Sequence, residues 1–552
     1  MLSKVVRVDP WLATAMMLGL AFCLYGSNWG RIECWNPDQM ALLPIFIDGK
    51  PPFQPTNYYK PPFHTYLNFL LAETPAWLAT NMLATTYRYS PSLILFFSRS
   101  LTAFLFFGSI LLVYLIARDT FNVDVARVLA MLFSTTAGIV AFAHFLTADV
   151  PVLFWMLLSF YFAQKIVVQP SRVYYLCAGF LTGLATATKY NGLAVGIAIV
   201  MAHLLSGGRR TLKDVALDKN LIYGLGMVPI GFTLGNPYSV LDYQRFLADF
   251  LYNYQTTSVY FGNVTGHNYG GFLRLVMDIV GLPVFAILLV ALLLCVDSLI
   301  FRPETLNRKN KLIILLLTVV GLYYLKFGSF PRLEERFVLP IVPYLFIFTA
   351  VFWEKLLPKK ILFLAIVVAM LVYNSICSFY VGKRFLEDPR MEAQIWAAKN
   401  VPAGALMVQT PYVPRWEKWP GTQFRVETIP LVSGRKRLFE AKLSEIEYVF
   451  EYLNTAERND DKVSWYSLEK LQELEADFIA VDSFYYERFL GTDIGELYPS
   501  IRLFFTKLLA ENYPYTIVFE RKSKSYPRWL YPRKINTVEK NRIVILAKTN
   551  RL

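Results

Sequence analysis

Cysteine and histidine are scarce in this chain, and each scarcity removes a class of function. Five cysteines cannot supply the framework of a disulfide scaffold. Cys23, Cys177, Cys295 and Cys377 lie in hydrophobic runs, Cys34 lies in a polar loop, and residues 381–552 contain none. That distribution fits a bacterial or archaeal surface protein better than a eukaryotic secretory one. Only four histidines occur, and none stands near His267 as a second metal ligand. The glycine-rich loop that cradles a nucleotide phosphate is missing, as are internal repeats and low-complexity tracts.

What is abundant is apolar surface. The chain is 55% hydrophobic and 16% aromatic, with a mean hydropathy of +0.38, far beyond a soluble enzyme of this length. A membrane crossing needs about 20 apolar residues. Windows of that kind begin near Trp11, Leu93, Val125, Pro151, Val173, Gly192, Leu221, Leu273, Leu312, Phe337 and Ile361, so about eleven transmembrane helices are expected. Lys4 and Arg7 precede the first, which lacks a small-residue cleavage site and is expected to be retained. With the N-terminus cytoplasmic, most of the loops at 118–127, 165–172, 207–219, 302–311 and 355–360 are basic and fall inside, as the positive-inside rule requires. The loops around Asp38, Asp149, His267 and Glu335 then share the outer face with everything after the last span.

The chain divides into a membrane part, residues 1–380, and a polar part, residues 381–552, whose patterning is that of an extracytoplasmic α/β domain. Residues 390–400 and 468–474 read as helices, and 405–410, 478–481, 515–519 and 543–547 as strands. Two outer loops, 30–91 and 242–271, are too long for simple connectors. The first contains apolar stretches at 63–71 and 76–83 suited to lying along the interface.

Candidate chemistry gathers on that outer face. Asp38 stands in Asn36-Pro37-Asp38-Gln39, just past the first span. Its neighbours Trp35, Phe53, Tyr58, Tyr59 and Phe63 would partly desolvate it and raise its basicity; a solvated loop carboxylate is the alternative. Asp149 sits in a short turn between two apolar spans, where an ionised acid needs a partner; it also stands where a helix cap is wanted before Pro151. Lys60, Arg99, Lys189 and Arg336 are each open to a snorkelling role, but together they suit an anionic phosphate. For His267, a hydrogen bond to sugar or phosphate and a structural role both remain open.

These residues occur in a recognisable order: the acid of the first outer loop followed by Lys60-Pro61-Pro62, Arg99 early in the second span, Ala148-Asp149, Thr188-Lys189-Tyr190-Asn191-Gly192, then Glu335-Arg336-Phe337 leading into Leu339-Pro340-Ile341-Val342-Pro343. Over residues 10 to 350 the chain resembles the GT-C glycosyltransferases, and within them the protein mannosyltransferase and aminoarabinose transferase branch, glycosyltransferase family 39. It departs from that pattern at Gln39, where a second acid often follows the first.

The resemblance implies a polytopic α-helical GT-C membrane protein of the bacterial or archaeal plasma membrane. It would be an inverting glycosyltransferase, with the sugar donor linked to a polyprenyl phosphate. Asp38 and Asp149 would be catalytic, and Lys60, Arg99, Lys189 and Arg336 would bind the donor phosphate. Tyr59, His64, Asn191, His267 and Glu335 would contact substrate. The acceptor would be a lipid, a glycan or a protein, nucleic acid has no part, and the resemblance fixes no cofactor, leaving a divalent cation open. A phosphate leaves without the proton that a glycosidic oxygen demands, so one base and a cationic cluster suffice; in-line attack inverts the anomeric centre. The rival from another class is a transporter or flippase for a lipid-linked saccharide, which needs no base and usually shows inverted repeats.

Overall fold

The computed structural model describes residues 9–30, 35, 53–55, 57–82, 91–207, 213–214, 217–258, 267–297, 307–330, 333–418, 422–432, 460–491, 495–496, 498–510, 514–527 and 541–549. All eleven hydrophobic windows fall on helix. Among the described residues, however, five helices are long and apolar enough to cross a membrane alone, or six when Val123–Ser134 and Ala137–Ala143, bent by 53°, count as one span. The difference is one of length. Pro10–Leu24, Arg172–Thr188 and Lys219–Gly235 have 15, 17 and 17 residues, roughly 22–26 Å of helix against a core of about 30 Å. The window near Leu273 is cut in two at Gly281, whose φ of 84° ends Tyr269–Val280 before Leu282–Val296 begins.

Charged pairs sort the bundle into two ends. Asp9 caps the first helix through the Trp11 N–H (3.0 Å) and also binds Arg127 (2.8 Å) and the Tyr114 hydroxyl (3.0 Å). Lys165 pairs with Asp119, and Lys309 with Glu354. Each of these contacts joins segments that the span count puts on one side. Lys189 pairs with Asp149, and both belong to the opposite end. Charges left at helix ends find partners there because the apolar interior offers none.

The tightest helix contact is made by glycine. Arg172–Thr188 packs on Lys219–Gly235 so closely that a Cβ on Gly179 would lie 1.8 Å from the Gly224 carbonyl oxygen, and one on Gly183 2.3 Å from that of Val228. Small residues four apart let the two backbones approach in this way. In the long first loop, Phe63–Asn68, a π-turn Phe69–Glu73 and Thr74–Met82 run consecutively. They leave Leu70, Leu71, Trp77, Leu78 and Met82 exposed, an apolar face suited to the interface.

After the last apolar helix, Lys360–Leu386, the chain builds a five-stranded sheet from β1 (Leu406–Gln409), β2 (Arg425–Thr428), β3 (Phe478–Asp482), β4 (Tyr515–Lys522) and β5 (Arg542–Lys548) in the order β2-β1-β3-β5-β4. β1 is parallel to β2 and β3, and β5 is antiparallel to β3 and β4. Alternation sends Val408, Ile479 and Val481 to the face that carries Tyr485 and Phe505. Met407, Ala480 and Ile545 go to the face that carries Ala393 and Ala397 of the helix Pro389–Asn400. Asp482, at the end of β3, is fully buried and caps Ser483–Leu490 through the Phe484 N–H (2.7 Å), while its Oδ2 has no partner. Burial pushes its carboxyl up to about 7, against the opposing pull of Arg390.

Two outcomes follow. Gly183→Leu should cost about 1–3 kcal/mol or more through overpacking, lowering the thermal midpoint in detergent, whereas Gly226→Ala, where a Cβ meets nothing within 4 Å, should leave it unchanged. The folded state also holds the Asp482 proton more tightly than the unfolded chain. Its contribution therefore weakens as pH rises from the ordinary carboxyl range to about 7, at up to about 1.4 kcal/mol per pH unit. Unfolding curves of Asp482→Asn, which keeps the cap, should lack that slope.

Candidate active site

Asp149 is the first residue of the helix Asp149–Val168 and is 5% exposed. Its carboxylate pairs with the Lys189 ammonium. Lys189 stands in extended backbone, φ −156° and ψ 131°, between Arg172–Thr188 and the 3-10 helix Tyr190–Gly196. That break turns the chain back on itself: a Cβ on Gly192 would meet the Ala185 carbonyl oxygen at 2.4 Å. Asn191 donates to the Tyr323 hydroxyl at 2.5 Å, and Tyr323, 1% exposed, lies within electrostatic range of Asp149. Arg336 acts on the same carboxylate from the segment that opens the helix Glu335–Val338; it also pairs with Glu334. Glu335 itself is buried. Asp149, Lys189, Asn191, Tyr323 and Arg336 thus meet from four separate segments.

A second set of contacts brings the long loops to this cluster. The Tyr190 hydroxyl, one residue from Lys189, donates to the Tyr58 carbonyl (2.6 Å). The Tyr58 N–H donates to Asp249 (2.8 Å) and its hydroxyl to Asp242 (3.1 Å), which also takes Gln54 (3.0 Å). Tyr58 is fully buried, and burial together with the Asp242 carboxylate holds its phenol well above the usual range, so it remains a donor. Lys60 follows two residues later with its side chain exposed, and Tyr59 is half-buried, its N–H on Asn57 at 3.3 Å. Asp249 belongs to the helix Tyr243–Ser258 of the second long loop. The loops 30–91 and 242–271 are therefore clasped together over Tyr190.

The remaining expected residues lie differently. Arg99 is 1% exposed; its Nη1 donates to the carbonyls of Ser27 and Trp29, and the guanidinium lies 5.5 Å from the Trp29 ring centre. These contacts tie the helix Pro91–Thr120 to the chain leaving the first helix. His64 is wholly enclosed on Phe63–Asn68, with neither ring nitrogen hydrogen-bonded; burial pulls its imidazole down to about 3, so it is neutral and presents no surface. His267 is exposed beside Tyr269, with Nδ1 3.4 Å from the Ser329 carbonyl. Asp38 lies outside the described residues. Among the described residues, no three His, Cys, Asp or Glu side chains are placed to hold a metal ion. Sequence reasoning missed Tyr323 and Asp249. Tyr323 is one of 34 tyrosines, inside an apolar run with nothing to single it out.

Residues 95–230 match the model of the dolichyl-phosphate-mannose-protein mannosyltransferase family. This is the family that the sequence motifs resemble. The matched segment is about a quarter of the chain and contains Arg99, Asp149, Lys189 and Asn191; Tyr323 and Arg336 reach the cluster from beyond it. No curated protein matches the chain. Solved structures similar to it include ArnT from Cupriavidus metallidurans bound to undecaprenyl phosphate, at 12% identity and TM-score 0.49, covering 97% of each chain. The Archaeoglobus fulgidus oligosaccharyltransferase is 13% identical with TM-score 0.46, covering 90% of this chain and 71% of that one. The mycobacterial arabinofuranosyltransferase AftD is 11% identical with TM-score 0.47, covering 98% and 40%.

Within the mannosyltransferase-like segment the Asp149–Lys189 pair is the most exacting element. Removing one partner of a buried pair leaves an uncompensated charge and costs about 3–5 kcal/mol. Lys189→Met should destabilise the protein by that order in detergent unfolding, and adding Asp149→Asn should recover most of the loss.

Proposed function

We propose that this multi-pass membrane protein is an inverting glycosyltransferase that moves a sugar from a polyprenyl-phosphate donor to a lipid, glycan or protein acceptor on the outer face of the membrane. One observation carries the reading: a buried acid holds a lysine, both within the segment matching the mannosyltransferase family, and Arg336 joins them from beyond it at the bundle end that the long loops cover.

The chemistry divides between two charges. The acceptor oxygen or nitrogen attacks the anomeric carbon, the bond from that carbon to the phosphate oxygen breaks, and the acceptor proton passes to Asp38. The departing polyprenyl phosphate keeps the electron pair, and its negative charge is met by Lys189, Arg336 and Lys60. Asp149 serves by orienting Lys189, so that the ammonium is in place before the charge develops. Asn191 and Tyr323 fix the other side of the same pocket. Tyr59 and His267, at the loop edges, and Glu335 are positioned to contact sugar or acceptor, and the C-terminal part is extracytoplasmic.

Purified protein incubated with a panel of polyprenyl-phosphate sugars should consume one of them, with free polyprenyl phosphate as the product seen by mass spectrometry. Asp38→Asn should lower turnover by on the order of 10²–10⁴-fold without changing the unfolding midpoint. Full turnover in that variant overturns the assignment of the base. Redistribution of the intact lipid-sugar between vesicle leaflets, with none consumed, would make the protein a flippase.

A further inference from the structure

The apolar stretch Glu335–Leu356 carries Arg336 at the Asp149 end of the bundle and Lys355 at the other. At that far end the chain turns from the helix Ala350–Leu356 into the long helix Lys360–Leu386. The Lys359 N–H closes the turn on the Leu356 carbonyl (2.9 Å), and Trp353, buried, meets the Phe363 ring edge to face at 6.0 Å. Lys355, Lys359 and Lys360 are left on the outside, all three exposed. Beside the turn lies a groove of about 580 Å³, lined by Pro358, Lys359, Lys360, Ile361, Leu362 and Ala365.

Two features set this corner apart. Elsewhere on the same face Arg127 holds Asp9 and Asp124, Lys165 holds Asp119 and Lys309 holds Glu354. Among the described residues, Lys355, Lys359 and Lys360 hold no carboxylate. The second feature is the surface that continues from the groove: Ile361, Leu364, Val368 and Val372 recur at helical spacing and all stand exposed, Ile361 at 88%. From Ile361 to Val372 this stripe rises about 16 Å. That is the depth of one leaflet, half of a hydrocarbon core of about 30 Å.

Hydrated lysines at a helix end need no ligand, and an apolar stripe needs only lipid tails. A groove that joins the two suits one molecule with both an anion and tails. A phosphodiester headgroup supplies the charge that the three ammonium groups lack, and its acyl chains continue along the stripe. A free phosphate would meet the lysines but leave Ile361, Leu362 and Ala365 without a partner.

We propose that this corner is a binding site for an anionic glycerophospholipid of the inner leaflet, with its phosphate among Lys355, Lys359 and Lys360 and an acyl chain along Ile361, Leu364, Val368 and Val372. The leaflet follows from the span count, which puts residues 355–360 inside. The site lies at the opposite end of the bundle from the Asp149 cluster and owes nothing to the transfer chemistry.

Full-length protein in phosphatidylcholine nanodiscs, with phosphatidylglycerol of the same chains as the minor lipid, tests it through the lipids retained in native mass spectrometry. The parent should keep one phosphatidylglycerol in preference to phosphatidylcholine. Lys355→Gln, Lys359→Gln and Lys360→Gln together should weaken that preference roughly tenfold or more, and arginine at the same three positions should preserve it. Ala365→Trp fills the groove with all three charges intact and should also lose the lipid. Lys213→Gln with Lys219→Gln, two exposed cations elsewhere on the same face, should change nothing. No preference in the parent, retention in the triple glutamine variant or in Ala365→Trp, or an equal loss in the Lys213 and Lys219 variant would each overturn the proposal. Displacement of phosphatidylglycerol by an equal concentration of inorganic phosphate would overturn it too, making the corner a phosphate site instead of a lipid site.

Discussion

An ionised carboxylate cannot stand alone at the mouth of an apolar helix bundle, and the pairing of Asp149 with Lys189 is the constraint from which this end of the bundle is built. To reach Asp149, Lys189 adopts extended backbone exactly where two apolar helices would otherwise run together, and the chain folds back there. Tyr190 is then set beside the pair. Its hydroxyl fixes the Tyr58 carbonyl, and Tyr58 in turn holds Asp249 and Asp242. Two long loops are brought over the cluster by a chain of contacts that begins with one buried charge.

That cluster is also where the protein departs from what packing alone would choose. An apolar pair of similar volume would suit the bundle at least as well as an acid and a lysine. Instead Arg336, Asn191 and Tyr323 are drawn to the same point. A buried pair of the same kind stands at Asp388 and Arg390, where it binds a backbone carbonyl and an indole N–H.

Much of this was legible in the sequence because charge in an apolar run is conspicuous. Asp149, Lys189 and Arg336 stood out for that reason, and the helix read over residues 390–400 is present as Pro389–Asn400. Each of the eleven hydropathy windows begins in helix, but such windows register neither the 15-residue length of Pro10–Leu24 nor the turn at Gly281. Arg99 stood out by its charge as well, but that its guanidinium donates to the carbonyls of Ser27 and Trp29 is a use no spacing reveals. Tyr323 was invisible because a phenol in an aromatic-rich chain carries no signal until its partner is known, and Tyr58 was legible only as an aromatic neighbour of Asp38, with nothing to announce its bonds to Asp242 and Asp249. The edge strand β2 escaped notice because its four residues are largely exposed, leaving no apolar alternation to read.

The account stands on the cluster at Asp149 receiving the phosphate of a lipid-linked donor. Equilibrium binding of a polyprenyl phosphate to the purified protein, compared between the parent and the double variant Lys60→Gln with Arg336→Gln, tests this most directly. The account expects affinity to fall by roughly tenfold or more and the parent's binding to weaken as salt is raised. Equal affinity in parent and variant would contradict it.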